Sequence, residues 1–188
     1  AGLMITASHN PAEFNGFKVA LGPATIYGEE IQNLYHLAQK ISINQETVVK
    51  SINSKQVEHK DPVSSYLTML SEKLMLGDKE LKVVVDCGNG TASLFAEKFL
   101  DNLGCEVIPL FCKSDGSFPN HHPDPVSSAN LQILKKAVLD NKADVGIGFD
   151  GDGDRLGVVD NEGNIIWGDQ LMVLYWREIL PKHPGANC

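Results

Sequence analysis

From Leu81 to Phe149 the sequence alternates short apolar runs with longer amphipathic ones, and that alternation restricts the fold more than any other feature. Leu81 to Val85, Glu106 to Leu110 and Asp144 to Phe149 have strand length, whereas Ala92 to Leu103 and Leu131 to Asn141 have helical length and spacing. Strands alternating with helices predict a parallel sheet covered by helices, because parallel neighbours need a long crossover between them. Right-handed crossovers place the loops after the strands on one rim, where ligands of open α/β sheets sit. Asp86-Cys87-Gly88-Asn89-Gly90-Thr91 and the segment after Phe149 both fall on that rim.

The segment after Phe149 is Asp150-Gly151-Asp152-Gly153-Asp154-Arg155. Three carboxylates at alternate positions repel one another unless a cation joins them, and the intervening glycines let the backbone turn their side chains to one point. Hard oxygen ligands suit Mg²⁺, Mn²⁺ or Ca²⁺. An acidic surface turn is the bland alternative, favoured for two aspartates but not for three in register. An EF-hand loop needs Gly at its sixth position and Glu at its twelfth; here those places hold Arg155 and Asn161, so that motif fails. Arg155 adds a planar fork suited to phosphate or carboxylate.

On either side of the alternating region the organisation changes. Ile31, Leu34, Tyr35, Ala38 and Ile41 keep helical spacing behind Glu29 and Glu30, which complement the positive end of a helix. A polar stretch from Ser42 leads to Asp61-Pro62 and a second helix carrying Val63, Tyr66, Leu67, Leu70 and Leu74, with a domain boundary between about 45 and 62. After the acidic run, Leu156 to Val159 and Ile165 to Trp167 flank a hairpin signal, and Gly168 to Leu180 reads as a helix stopped by Pro181 and Pro184.

A net charge of −8 and the lack of a Lys/Arg cluster speak against nucleic acid and anionic lipid as partners, and no apolar run is long enough to span a bilayer. Cys87, Cys105, Cys112 and Cys188 show no CxxC spacing, so reduced, buried thiols in a cytoplasmic protein are expected. His121 and His122 lie among Pro119, Pro123 and Pro125, and adjacent histidines in an extended chain point apart, which favours a structural role over a metal site. Gly88-Asn89-Gly90 completes neither a GxGxxG nor a Walker pattern and is read as packing of the turn.

Near the N-terminus, Thr6-Ala7-Ser8-His9-Asn10-Pro11 precedes Asn15-Gly16-Phe17-Lys18. A hydroxyl beside an imidazole and near a lysine has the parts of an assisted nucleophile, although the hexapeptide alone fits a turn equally well. Together with the Asp150 run, these segments resemble the phosphoserine loop and metal loop of the α-D-phosphohexomutases. Val83-Val84-Val85-Asp86-Cys87-Gly88-Asn89-Gly90 and Phe118-Pro119-Asn120-His121-His122-Pro123-Asp124-Pro125 are similar to segments of the bacterial phosphomannomutase/phosphoglucomutase branch.

The resemblance implies an α/β chain of consecutive three-layer α/β/α domains with mixed, largely parallel sheets: the latter part of domain 1 over residues 1–55, a complete domain 2 over 56–157, and the opening of domain 3 over 158–188. The chain then reads as an internal piece of a four-domain enzyme, inactive without the sugar-selecting and phosphate-clamping parts. By position, Ser8 would carry the phosphoryl group, and Asp150, Asp152 and Asp154 would bind one Mg²⁺ with a phosphoserine oxygen. Hexose 6-phosphate and hexose 1-phosphate would interconvert through hexose 1,6-bisphosphate. Arg155 and Lys18 would stabilise phosphoryl or sugar oxygens, His9 and Asn10 would orient the loop, and His9 or Lys18 would move the proton. Two rivals remain. One is an aspartyl-nucleophile phosphatase on Asp150, opposed by Asp154 where that superfamily has Thr or Val; the other is a divalent-ion-binding scaffold without catalysis.

Overall fold

The computed structural model describes residues 1–6, 10–11, 13–41, 57–74 and 76–187. The chain falls into two compact units, residues 1–6 with 15–62 and residues 7–14 with 63–188. In the first, β1 (Gly2–Ile5), β2 (Phe17–Leu21) and β3 (Ala24–Thr25) form an antiparallel meander with Ile5 opposite Phe17, followed by α1 (Glu29–Lys40). The charges of α1 follow its dipole, with Glu29 and Glu30 in the first turn and Lys40 in the last. Its stripe of Ile31, Leu34 and Tyr35 is nonetheless exposed, as are Leu3, Met4 and Ile5 on β1. Helices with such a stripe normally cover it, and the described residues of this unit supply no cover for it.

The second unit holds the core. It runs α2 (Val63–Lys73), β4 (Lys82–Asp86), a 3₁₀ turn (Thr91–Leu94), α3 (Ala96–Asn102), β5 (Glu106–Leu110), α4 (Gln132–Asn141), β6 (Val145–Phe149), β7 (Leu156–Asp160), β8 (Ile165–Ile166) and α5 (Gly168–Ile179). The sheet order is β5-β4-β6-β7-β8. β4 pairs in parallel with β5 and β6, while β6 to β7 and β7 to β8 are antiparallel. The sheet is therefore mixed, parallel in only two of its four pairings. The cause lies in connection length: the short acidic loop between β6 and β7 cannot make the crossover of a dozen or more residues that a parallel pair needs.

Side-chain alternation along β4 builds two cores. Val84 packs with Leu131, Leu134, Val138, Ala143 and Val159 beneath α4, whereas Val85 packs with Cys87, Ala92 and Ala96 on the opposite face. Helices on both faces give the three-layer arrangement expected from the resemblance. Gly146 and Gly148 of β6 explain how α4 lies so close. A Cβ on Gly146 would stand 2.6 Å from Val138 Cγ2, and one on Gly148 would stand 3.3 Å from Leu131 Cδ2.

The single helix expected over Ala92 to Leu103 is broken at Phe95, whose φ of −146° and ψ of −25° end the 3₁₀ turn before α3 begins. Two tertiary ties account for the break. Thr91 donates its N–H to the Gly151 carbonyl at 3.0 Å, and Phe95 sets its ring edge-on to Tyr66 with centroids 5.4 Å apart. Among the described residues no helix is long and apolar enough to cross a membrane.

Candidate metal centre

The carboxyl ends of β4, β5 and β6 share one rim, as Asp86 is registered with both Leu110 and Gly148. The acidic loop leaves that rim as the tight connection between β6 and β7. Gly153 adopts φ +76° there, a conformation that an L side chain resists, and its N–H donates to the Asp150 carbonyl at 3.3 Å. Ligand oxygens of Asp150, Asp152 and Asp154 all lie within 4.8 Å of one another. Two opposite ligands of one Mg²⁺ stand about 4.2 Å apart, so a small rotation of these side chains suffices to share an ion.

Asp150 is the anchor. It is fully buried; Oδ1 accepts the Arg155 backbone N–H at 3.1 Å, and Oδ2 is buried without a hydrogen-bond donor among the described residues. Burial pushes its carboxyl above the usual carboxylate range, the Arg155 N–H draws it back, and the charges of Asp152 and Asp154 push it up again. A buried carboxylate oxygen without a donor, beside two further carboxylates, is the electrostatic signature of a group that wants a cation. The residues present fit a hard divalent ion.

Arg155 is held between that cluster and a partner absent from the sequence reading. Its Nη1 donates to Asp124 Oδ1 at 3.2 Å, while Nε stands 4.0 Å from both Asp150 Oδ2 and Asp154 Oδ1. The guanidinium is thus aimed by Asp124 and remains partly exposed, with its side chain at 39% of full accessibility. Asp124 is encoded in the Pro-rich stretch from Pro119 to Pro125. Stiffness of that stretch is readable locally, but its pairing across the rim is not.

The last residue of β4 is a second buried acid. Asp86 accepts the Gly88 N–H at 2.8 Å and faces His121 Nε2 at 3.0 Å, which gives His121 the structural partner expected of it. The Asp86 carboxylate raises the His121 pKa, burial opposes it, and a contact with the His122 carbonyl adds to the rise. A histidine with a raised folded value stabilises the fold fully below its unfolded pKa of about 6.5 and loses that contribution as pH climbs through the folded value. Replacing His121 with Gln should therefore flatten the decline in melting temperature across this alkaline-going window; an unchanged pH profile in thermal melts would contradict the pairing.

Gly90 proves to be more than turn packing. A Cβ there would meet the Gly151 carbonyl oxygen at 2.7 Å and both the Asp150 oxygen and Gly151 Cα at 3.0 Å, all of them backbone atoms. Its φ of −82° is ordinary, so the constraint is close approach to the acidic loop. Gly90→Ala should cost about 1–3 kcal/mol through overpacking and should weaken Mn²⁺ binding by displacing Asp150. Melting and metal titration at wild-type values would show that the loop yields easily.

The other expected site residues are distributed differently. Ser8 and His9 lie outside the described residues. Asn10 is described and exposed, and Lys18 is exposed on β2 of the first unit. The structure thus assembles Asp150, Asp152, Asp154 and Arg155 into one cluster and leaves the Ser8 loop to the sequence.

Comparisons with known proteins point the same way. Residues 64–163 match the family model described as "Phosphoglucomutase/phosphomannomutase, alpha/beta/alpha domain II", and residues 1–45 match that of alpha/beta/alpha domain I. A phosphomannomutase/phosphoglucomutase of Pseudomonas putida is 44% identical over 187 residues, covering 100% of this chain and 39% of its own length. A phosphoglucomutase of Neisseria meningitidis is 42% identical with the same coverage. Among solved structures, a phosphoglucomutase/phosphomannomutase family protein from Burkholderia thailandensis aligns with a TM-score of 0.82 at 39% identity, over 98% of this chain and 38% of that one. The chain spans about two fifths of the length of the curated relatives it matches.

Proposed function

Because the chain belongs to the phosphoglucomutase/phosphomannomutase family, we propose that it forms the phosphoserine and metal-binding part of an enzyme interconverting hexose 6-phosphate and hexose 1-phosphate. The observation that supports this most is the buried, undonated Oδ2 of Asp150 inside a three-carboxylate cluster beside Arg155. In this reading, residues 1–55 belong to domain 1, 56–157 make domain 2 and 158–188 begin domain 3. Turnover belongs to a longer protein with the sugar-selecting segments, and this chain alone is inactive.

Ser8 carries the phosphoryl group. The Ser8 Oγ–P bond breaks as a hydroxyl of the hexose phosphate takes the phosphoryl, giving hexose 1,6-bisphosphate; Ser8 then recovers a phosphoryl from the other position. Phosphoryl transfer depends on placement and charge neutralisation more than on covalent elaboration. Asp150, Asp152 and Asp154 would hold Mg²⁺, which would supply charge neutralisation for the transferring phosphoryl group. Arg155, aimed by Asp124, presents its free N–H groups to phosphate. Lys18 and His9 are the candidates for the hydroxyl proton, with Asn10 holding the loop's turn. A phosphohexose is the small-molecule partner, and the cytoplasm is the compartment that suits such a substrate.

Phosphate mapping on the full-length protein tests the assignment after incubation with hexose 1,6-bisphosphate labelled in its phosphoryl groups. Label on Ser8 is expected. Label on Asp150 instead would identify an aspartyl-nucleophile enzyme, and absence of any label would leave an ion-binding scaffold.

A further inference from the structure

Cysteine spacing in the sequence gives no sign of pairing, yet the fold brings two thiols together at the carboxyl end of the sheet. Cys87 follows β4 and Cys112 follows the adjacent strand β5, and their sulfur atoms stand 3.2 Å apart. Disulfide sulfurs lie about 2.05 Å apart, so roughly 1.2 Å of approach separates contact from a bond. The two sites differ in access. Cys87 is fully buried against Val85, Ala92 and Ala96, whereas Cys112 is partly exposed. The contact also divides their acidity: Cys112 and then burial push the Cys87 thiol far up, while the Cys87 thiol draws Cys112 below the usual range against its own burial. Cys105, in contrast, is buried, has its thiol raised by burial, and precedes β5, at the opposite end of that strand from Cys112.

We propose that Cys87 and Cys112 are a redox modification site, at which hydrogen peroxide converts the two thiols into a reversible disulfide. Cys112 Sγ attacks one peroxide oxygen, which breaks the O–O bond, gives a sulfenic acid at Cys112 and releases one water once the thiol proton is counted. Cys87 Sγ then attacks Cys112 Sγ, forming the S–S bond and expelling the hydroxyl, which leaves as a second water with the Cys87 proton. Both electrons taken from the sulfurs reduce the peroxide. A low-molecular-weight thiol reverses the bond by exchange. The site lies one turn from the acidic loop, since Gly90 donates its N–H to the Cys87 carbonyl and Thr91 donates to Gly151. It is nonetheless independent of the phosphoserine reading.

Peptide mapping of the peroxide-treated chain without reductant tests the proposal. Trypsin leaves Cys87 in 83–98 and both Cys105 and Cys112 in 99–113, so cleavage after Glu106 is needed to separate the last two. The expected product is a peptide pair linked through Cys87 and Cys112, about 2 Da lighter than the sum of its reduced halves and released by dithiothreitol. Cys112→Ser should abolish this species while leaving Cys105 unmodified. Cys112 advancing to sulfinic acid with Cys87 still alkylatable after denaturation would overturn the proposal, as would linkage of Cys87 to Cys105 or Cys188.

Discussion

Replacing Ser8 with alanine in the full-length protein is expected to lower hexose phosphate interconversion by at least about 10³-fold while leaving folding and metal affinity near wild type. Loss of this size follows from the role assigned to the hydroxyl. If Ser8 Oγ carries the phosphoryl group, its removal would leave none to begin the cycle and no acceptor to retain one from the bisphosphate, and positioning or electrostatics could not substitute for it. A residue that merely shaped a turn would behave differently: alanine there costs a few tenths to 1 kcal/mol of local order and changes turnover modestly. The measurement is a coupled assay of both reaction directions at saturating bisphosphate, with circular dichroism and metal titration on the same samples. Turnover within tenfold of wild type would remove Ser8 from the centre of the mechanism whatever the family.

How much of this was legible in the sequence depends on the range over which each feature is encoded. Local patterns gave the elements: β5 begins at Glu106 and ends at Leu110 as its apolar run does, and α1, α2 and α4 fall on their amphipathic spacing. The acidic cluster was legible for the same reason, since Asp150, Asp152 and Asp154 are neighbours in the chain. Features set by pairing between distant segments were not. Asp124 with Arg155, His121 with Asp86, and Cys87 with Cys112 each join residues about 25 to 35 apart, and none leaves a local period. Phe95 breaks its helix because Thr91 is tied to Gly151, a tie that no propensity of residues 92–103 contains. The antiparallel half of the sheet was readable in principle, because the shortness of the loop between β6 and β7 already forbids a parallel return.

The acidic loop should show opposed effects on stability and binding when Asp150 is replaced with Asn. In chelator at neutral pH the variant should be the more stable protein. Asp150 has its folded-state pKa raised by burial, so charging this desolvated group beside two other carboxylates costs stability: its contribution is fully present below the unfolded value of about 3.9 and is lost as pH rises through the folded value. Asparagine keeps an oxygen to accept the Arg155 N–H and turns its amide donors toward Asp152 and Asp154, relieving that cost. An increase of roughly 1 kcal/mol, about 2–4 °C in melting temperature for a chain of this size, is expected. With Mn²⁺ or Mg²⁺ the order reverses. The native chain gains about 2.7 kcal/mol at a hundredfold excess over its dissociation constant, whereas the variant, having lost the buried charge that anchors the ion, should bind at least about 100-fold more weakly and gain little. Differential scanning calorimetry with and without metal reads both arms. A variant that is less stable in chelator, or that retains native metal affinity, would mean that Asp150 is buried for packing and that the cation, if one binds, is held by Asp152 and Asp154 alone.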